Sequence, residues 1–114
     1  MKLINDWTME EVKDRINKFV PEHGCRENTI CKYENGQGQR CVVGSFFTDQ
    51  YAKKLGSYEG SVEEVWEDFP YVRKMLPFEL EDLGKLQSIH DEYAGEDNCG
   101  DMSAKQRLLR AIEK

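Results

Sequence analysis

Met9, Val12, Ile16 and the pair Phe19/Val20 recur at intervals of three and four, the spacing that places side chains on one face of an α-helix. Thr8-Met9-Glu10-Glu11 has the order of a capping box, with Trp7 ahead of it as half of a hydrophobic staple. These features predict a first helix over residues 8–20, ended by Pro21 and His23-Gly24. The next pattern is different. Thr29-Ile30-Cys31-Lys32-Tyr33 and Arg40-Cys41-Val42-Val43 are β-prone runs on either side of Glu34-Asn35-Gly36-Gln37-Gly38-Gln39, which predicts a β-hairpin with a glycine-rich turn.

Beyond Gly44 the helical pattern returns. Thr48-Asp49 opens a segment with Tyr51, Ala52 and Leu55 on one side, interrupted by Gly56-Ser57 and Gly60. Ser61-Val62-Glu63-Glu64 is a second capping box, followed by Val65, Trp66 and Phe69 up to Pro70. Tyr71 to Leu76 forms a short helix that stops before Pro77. Leu80, Leu83, Leu86, Gln87, Ile89, His90 and Tyr93 share one side of a helix over about 79–94, the longest apolar stripe in the chain. After the turn-rich loop 95–101, Ser103 opens a last helix with Leu108, Leu109 and Ile112 inward and Lys105, Arg107 and Arg110 outward. The expectation is a single α+β domain over residues 1–114, with one β-hairpin or small antiparallel sheet packed against four to six short helices.

Composition supports a folded chain. Its 114 residues are 39% apolar, and a chain this long buries roughly two thirds of its unfolded surface, enough for a core without metals or disulfides. No run approaches the roughly 18 apolar residues that span a bilayer, and the opening MKLINDWTMEEV lacks a basic-then-apolar leader. A soluble protein without membrane association is expected.

The net charge of −6 is unevenly spread. Residues 1–57 carry nine basic and eight acidic side chains, net +1, whereas residues 58–101 carry three and 13, net −10. Such a segment repels a phosphate backbone, so direct nucleic-acid binding is not expected. It can instead attract a basic partner, or simply form a solvated helical surface.

Candidate chemistry centres on the cysteines. Cys25, Cys31, Cys41 and Cys99 lack the close pairing of a structural zinc site, yet a hairpin would set Cys31 and Cys41 on one face. They are read as two small buried side chains, a disulfide, or half of a zinc site completed by His90 or Asp91. Cys41 beside His90 and a carboxylate would also have the parts of a thiol enzyme. The aromatic residues Tyr58, Trp66, Phe69, Tyr71 and Phe78 form either core or a pocket on which a base could stack. Gly36-x-Gly38 precedes no phosphate-binding helix and is not a nucleotide fingerprint.

Cys31-Lys32-Tyr33, Cys41-Val42-Val43-Gly44, Asp49-Gln50-Tyr51, Glu59-Gly60-Ser61-Val62 and Leu83-Gly84-Lys85-Leu86-Gln87-Ser88-Ile89-His90-Asp91 occur in this order. In this the chain resembles a group of short proteins of tailed phages and bacterial prophage regions, over roughly residues 30–92. The resemblance implies a phage setting, hence a host cytoplasm, and carries no enzymatic activity with it. Members often have a second cysteine after Val-Gly, where this chain has Ser45; that departure weighs against a metal site built on hairpin thiols.

The expected function is that of a non-enzymatic phage accessory protein, an inhibitor that binds a host protein or a small signalling nucleotide and so alters host defence or metabolism. Tyr33, Tyr58, Glu59, Trp66, His90 and Asp91 are its candidate binding residues. A metal- or thiol-dependent enzyme using Cys31, Cys41 and His90 is one alternative, and a structural or self-associating phage component, such as a homodimer, is the other.

Overall fold

The computed structural model describes residues 1–22, 40–55, 61–93 and 102–113. These form helices α1 (Met9–Phe19), α2 (Val42–Ser45), α3 (Asp49–Leu55), α4 (Val62–Asp68), α5 (Val72–Met75), α6 (Leu80–Tyr93) and α7 (Ala104–Ile112).

Three helix starts are fixed by the side chains that predict them. Thr8, Ser61 and Ser103 each accept a hydrogen bond from the backbone N–H three residues on, and Glu11, Glu64 and Gln106 reach back to the cap N–H. Trp7 ties the start of α1 to later segments. Its indole N–H donates to the Met75 carbonyl at 2.9 Å, and its ring meets Phe46 edge-on at 5.9 Å. Next to it Asn5 and Asp6 take left-handed backbone angles, φ 56° and 64°, which these short polar residues tolerate. That bend aims the Asn5 amide at the carbonyls of Arg73 and Leu76, 2.8 Å from each, so the chain start caps the end of α5.

The α+β expectation is overturned: the described residues are helical, with no strand among them. Residues 29–39, the first strand and turn of the expected hairpin, lie outside the described part. The second strand is described and is not a strand. Cys41 is the extended cap of a helical turn, with Ser45 N–H donating to the Cys41 carbonyl at 2.9 Å and Phe47 N–H to the Gly44 carbonyl at 3.1 Å. The physical reason is burial. Cys41, Val42, Val43, Phe46 and Phe47 are all enclosed, and a short apolar run buried on every side has no periodicity that separates strand from helix. A helical turn satisfies its own backbone groups in that setting, where a strand would need a neighbour.

α6 is the centre of the packing. It lies against α7, α4 and α2, while α1 bridges α2 and α7. Leu83 and Leu86 of α6, Val12 and Ile16 of α1, Leu108 and Ile112 of α7, and Phe46, Phe47, Leu76 and Phe78 from the connecting turns make one continuous core. The start of α7 is tied to the end of α1. Ser103 Oγ donates to a Glu22 carboxylate oxygen at 2.7 Å, Lys105 N–H to the Glu22 carbonyl at 3.1 Å, and Lys105 Nζ to the Asn17 carbonyl at 3.1 Å. No described helix is long and apolar enough to cross a membrane.

Candidate functional site

Only part of the set singled out from sequence falls on described residues. Cys25, Cys31, Tyr33, Tyr58, Glu59 and Cys99 lie outside the described residues. Cys41 is a free thiol, 2% exposed, at the cap of α2. His90 is wholly enclosed on α6, its Nδ1 3.1 Å from a carboxylate oxygen of the half-exposed Asp91. Among the described residues no three His, Cys, Asp or Glu side chains gather as metal ligands. Trp66 is half-buried on α4 beneath Arg73, whose Nε donates to the Trp66 carbonyl at 2.8 Å. Phe78 is core and meets Phe46 edge-on at 6.2 Å, so it offers no face to a ligand. Tyr71 is 60% exposed and lies against Tyr51 instead.

The structure assembles two features that the sequence pattern did not mark. The first is a cationic clamp. Arg15 of α1 donates through Nε to the Ser45 carbonyl at 2.8 Å and through Nη2 to the Phe47 carbonyl, on which Arg40 Nη1 also converges at 3.2 Å. Both guanidinium groups lie over the Phe19 ring, at 4.6 Å for Arg15 and 3.8 Å for Arg40. Arg40 Nη2 pairs with Asp49 at 3.2 Å, and this bond holds the Asp49 carboxyl below the usual carboxylate range. Burial, aided by Arg40 nearby, lowers the pKa of Arg15. The clamp closes the end of α2 on α1, with its donors committed to the Ser45 and Phe47 carbonyls and to the Asp49 carboxylate. Its role is structural.

The second feature is an open groove of about 930 Å³ along α6, with walls from α4, α7 and the chain start. Glu81, Gly84, Lys85, Ser88 and Ile89 line it, and their spacing of three and four puts them on the face of α6 turned away from the buried Leu83, Leu86 and His90. Glu63 of α4, Ala111 of α7 and Met1 complete the lining. Gly84 deepens the groove: a methyl built on it meets no atom of another segment within 4 Å. Gly84, Ile89, Ala111 and the Met1 side chain supply apolar surface; Glu63, Glu81 and Asp82 supply three carboxylates against the ammonium of Lys85 and the α-amino group of Met1. Lys85 sits 3.6 Å from Glu81, and no described cation pairs with Glu63 or Asp82.

The groove's signal in the sequence was Gly84 itself. A glycine inside a helix costs roughly 0.5–1 kcal/mol against alanine and calls for a packing or functional reason. No protein-family model matches the chain, and no curated protein or solved structure matches it.

Proposed function

We propose that this chain is a non-enzymatic binding protein of the phage accessory type, which holds a basic amphipathic helix of a host protein in the groove along α6 and so alters host defence or metabolism. One observation carries the reading: an apolar-floored groove rimmed by three carboxylates, which outnumber the two ammonium groups of Lys85 and the Met1 α-amino end. Apolar anchors entering a helix-lined groove supply affinity, while a ring of opposite charge supplies orientation and on-rate. The described residues 61–93 carry nine acidic against three basic side chains, and this surplus adds to the same field. The phage setting comes from the sequence resemblance, and the partner's chemistry from the groove.

The test separates shape from charge. A labelled lysine- and leucine-rich helical peptide is titrated against the whole chain, beside a peptide in which glutamate replaces lysine. Gly84→Leu fills the groove and leaves its charge unchanged, whereas Glu63→Gln with Asp82→Asn removes two of its three carboxylates and leaves its shape. Both variants weaken binding of the basic peptide, and raising salt from about 0.1 M to about 1 M, where the screening length falls from about 10 Å to about 3 Å, weakens it further. Equal binding of the two peptides, or indifference to Gly84→Leu, overturns the proposal.

A further inference from the structure

We propose a second, small-molecule site on the edge of α3, built for a free mononucleotide: a planar heteroaromatic base that stacks on Tyr71 and a phosphate that meets Lys54. The two tyrosines are the core of the argument. Tyr51 of α3 and Tyr71, the residue before α5, bring their ring centres to 5.6 Å at an interplanar angle of 36°. Tyr51 is anchored from below by Phe47, edge-on at 5.8 Å, which fixes its plane. Tyr71 is 60% exposed, and among the described residues it is the large aromatic most open to solvent. A ring held at that exposure by the packed ring beneath it is a stacking platform with an open face.

What surrounds the platform decides the ligand. A cavity of about 360 Å³ is lined by Thr48, Gln50, Tyr51, Lys54 and Tyr71. Lys54 Nζ lies 5.7 Å from the Tyr51 ring centre, and no described carboxylate neutralises it. Gln50 is exposed at the same rim, and its amide carries one acceptor and two donors, the complement of a base edge. Thr48 is committed to the backbone, its Oγ1 accepting from the Tyr51 N–H at 3.2 Å. A π-face, an ammonium and an amide within one small cavity match a base with an anionic phosphate and mismatch a cationic ligand. The net charge of −6 opposes a long polyanion far more than a single phosphate. The site is separate from the groove along α6, and neither depends on the other.

The experiment follows the backbone amide NMR spectrum of the whole chain during titration with AMP, adenosine and a short single-stranded oligonucleotide. AMP is expected to shift the amides of Gln50, Lys54 and Tyr71 saturably. Tyr71→Leu weakens AMP at least about fivefold, the lower bound for losing one base–aromatic stack. Lys54→Gln weakens AMP and leaves adenosine unchanged, because only AMP carries the phosphate. No saturable shift at these residues overturns the proposal. So does AMP binding unaffected by Tyr71→Leu in a variant whose spectrum shows it folded, or an oligonucleotide that binds more tightly than AMP.

Discussion

The guanidinium of Arg40 lies 3.8 Å from the centre of the Phe19 ring, in a side chain 4% exposed, and the backbone N–H of Arg40 donates to the Phe19 carbonyl at 2.9 Å. One residue of α1 thus holds both the main chain and the charge of the segment that leads into α2. A desolvated cation–π contact and charge-assisted hydrogen bonds each contribute on the order of 1–3 kcal/mol. Arg40→Ala is therefore expected to cost about 2–4 kcal/mol in urea unfolding. Arg40→Lys, which keeps the charge and loses the planar fork, costs about 1–2 kcal/mol. A loss below about 0.5 kcal/mol for Arg40→Ala would show that the clamp does not hold α2.

Asp49 makes part of that clamp pH-dependent. Its carboxyl titrates below the ordinary value because Arg40 bonds to the charged form. A carboxyl with a depressed folded-state pKa contributes stability that is present above the unfolded value of about 4 and is lost as pH falls through the folded value. Asp49→Asn removes this contribution. The variant should be less stable than the parent at neutral pH, and the gap should close as pH falls below about 4. The same gap at both pH values contradicts the assignment. Asp49 is 73% exposed, so the effect is small.

Gly84 occupies an interior position of α6 with open space where a side chain would stand. Gly84→Ala should therefore raise stability by about 0.5–1 kcal/mol in thermal or urea unfolding, through lower unfolded-state entropy. If the variant is destabilised, the groove floor is already occupied by another part of the chain, and the proposed binding site is closed.

Ser103 joins two roles in one hydroxyl, accepting from Gln106 N–H at 3.2 Å and donating to Glu22 at 2.7 Å. Ser103→Ala is expected to cost about 1–2 kcal/mol and to raise amide exchange in the first turn of α7. Unchanged exchange there would mean that the Lys105 contacts with α1 hold the helix start without the cap.

Most helix boundaries are legible from local chemistry. Thr8, Ser61 and Ser103 announce their helices, and Leu83 and Leu86 announce the buried face of α6, because capping and periodicity act within a few residues. The segment Arg40–Phe47 is not legible in this way. Valine pairs favour strands in isolation, and what decides here is enclosure by α1 and α6 together with two arginines, one 25 residues upstream, that take up the carbonyls of Ser45 and Phe47. The groove was hidden for a related reason. Glu63 and Glu81 read as ordinary solvated carboxylates until α4 packs on α6 and places them around Gly84. The Tyr51–Tyr71 pair joins α3 to the residue before α5, and no spacing rule connects the two.

The most direct measurement is site-specific photo-crosslinking from Ser88, an exposed residue of the groove, in host cells, with the crosslinked segment sequenced by mass spectrometry. The same group placed at the exposed Lys53 of α3 serves as control. The account predicts an adduct from Ser88 and not from Lys53, with the captured segment a basic amphipathic helix of a host protein. An acidic or unpatterned segment, a second copy of this chain, or equal labelling from both positions would contradict it.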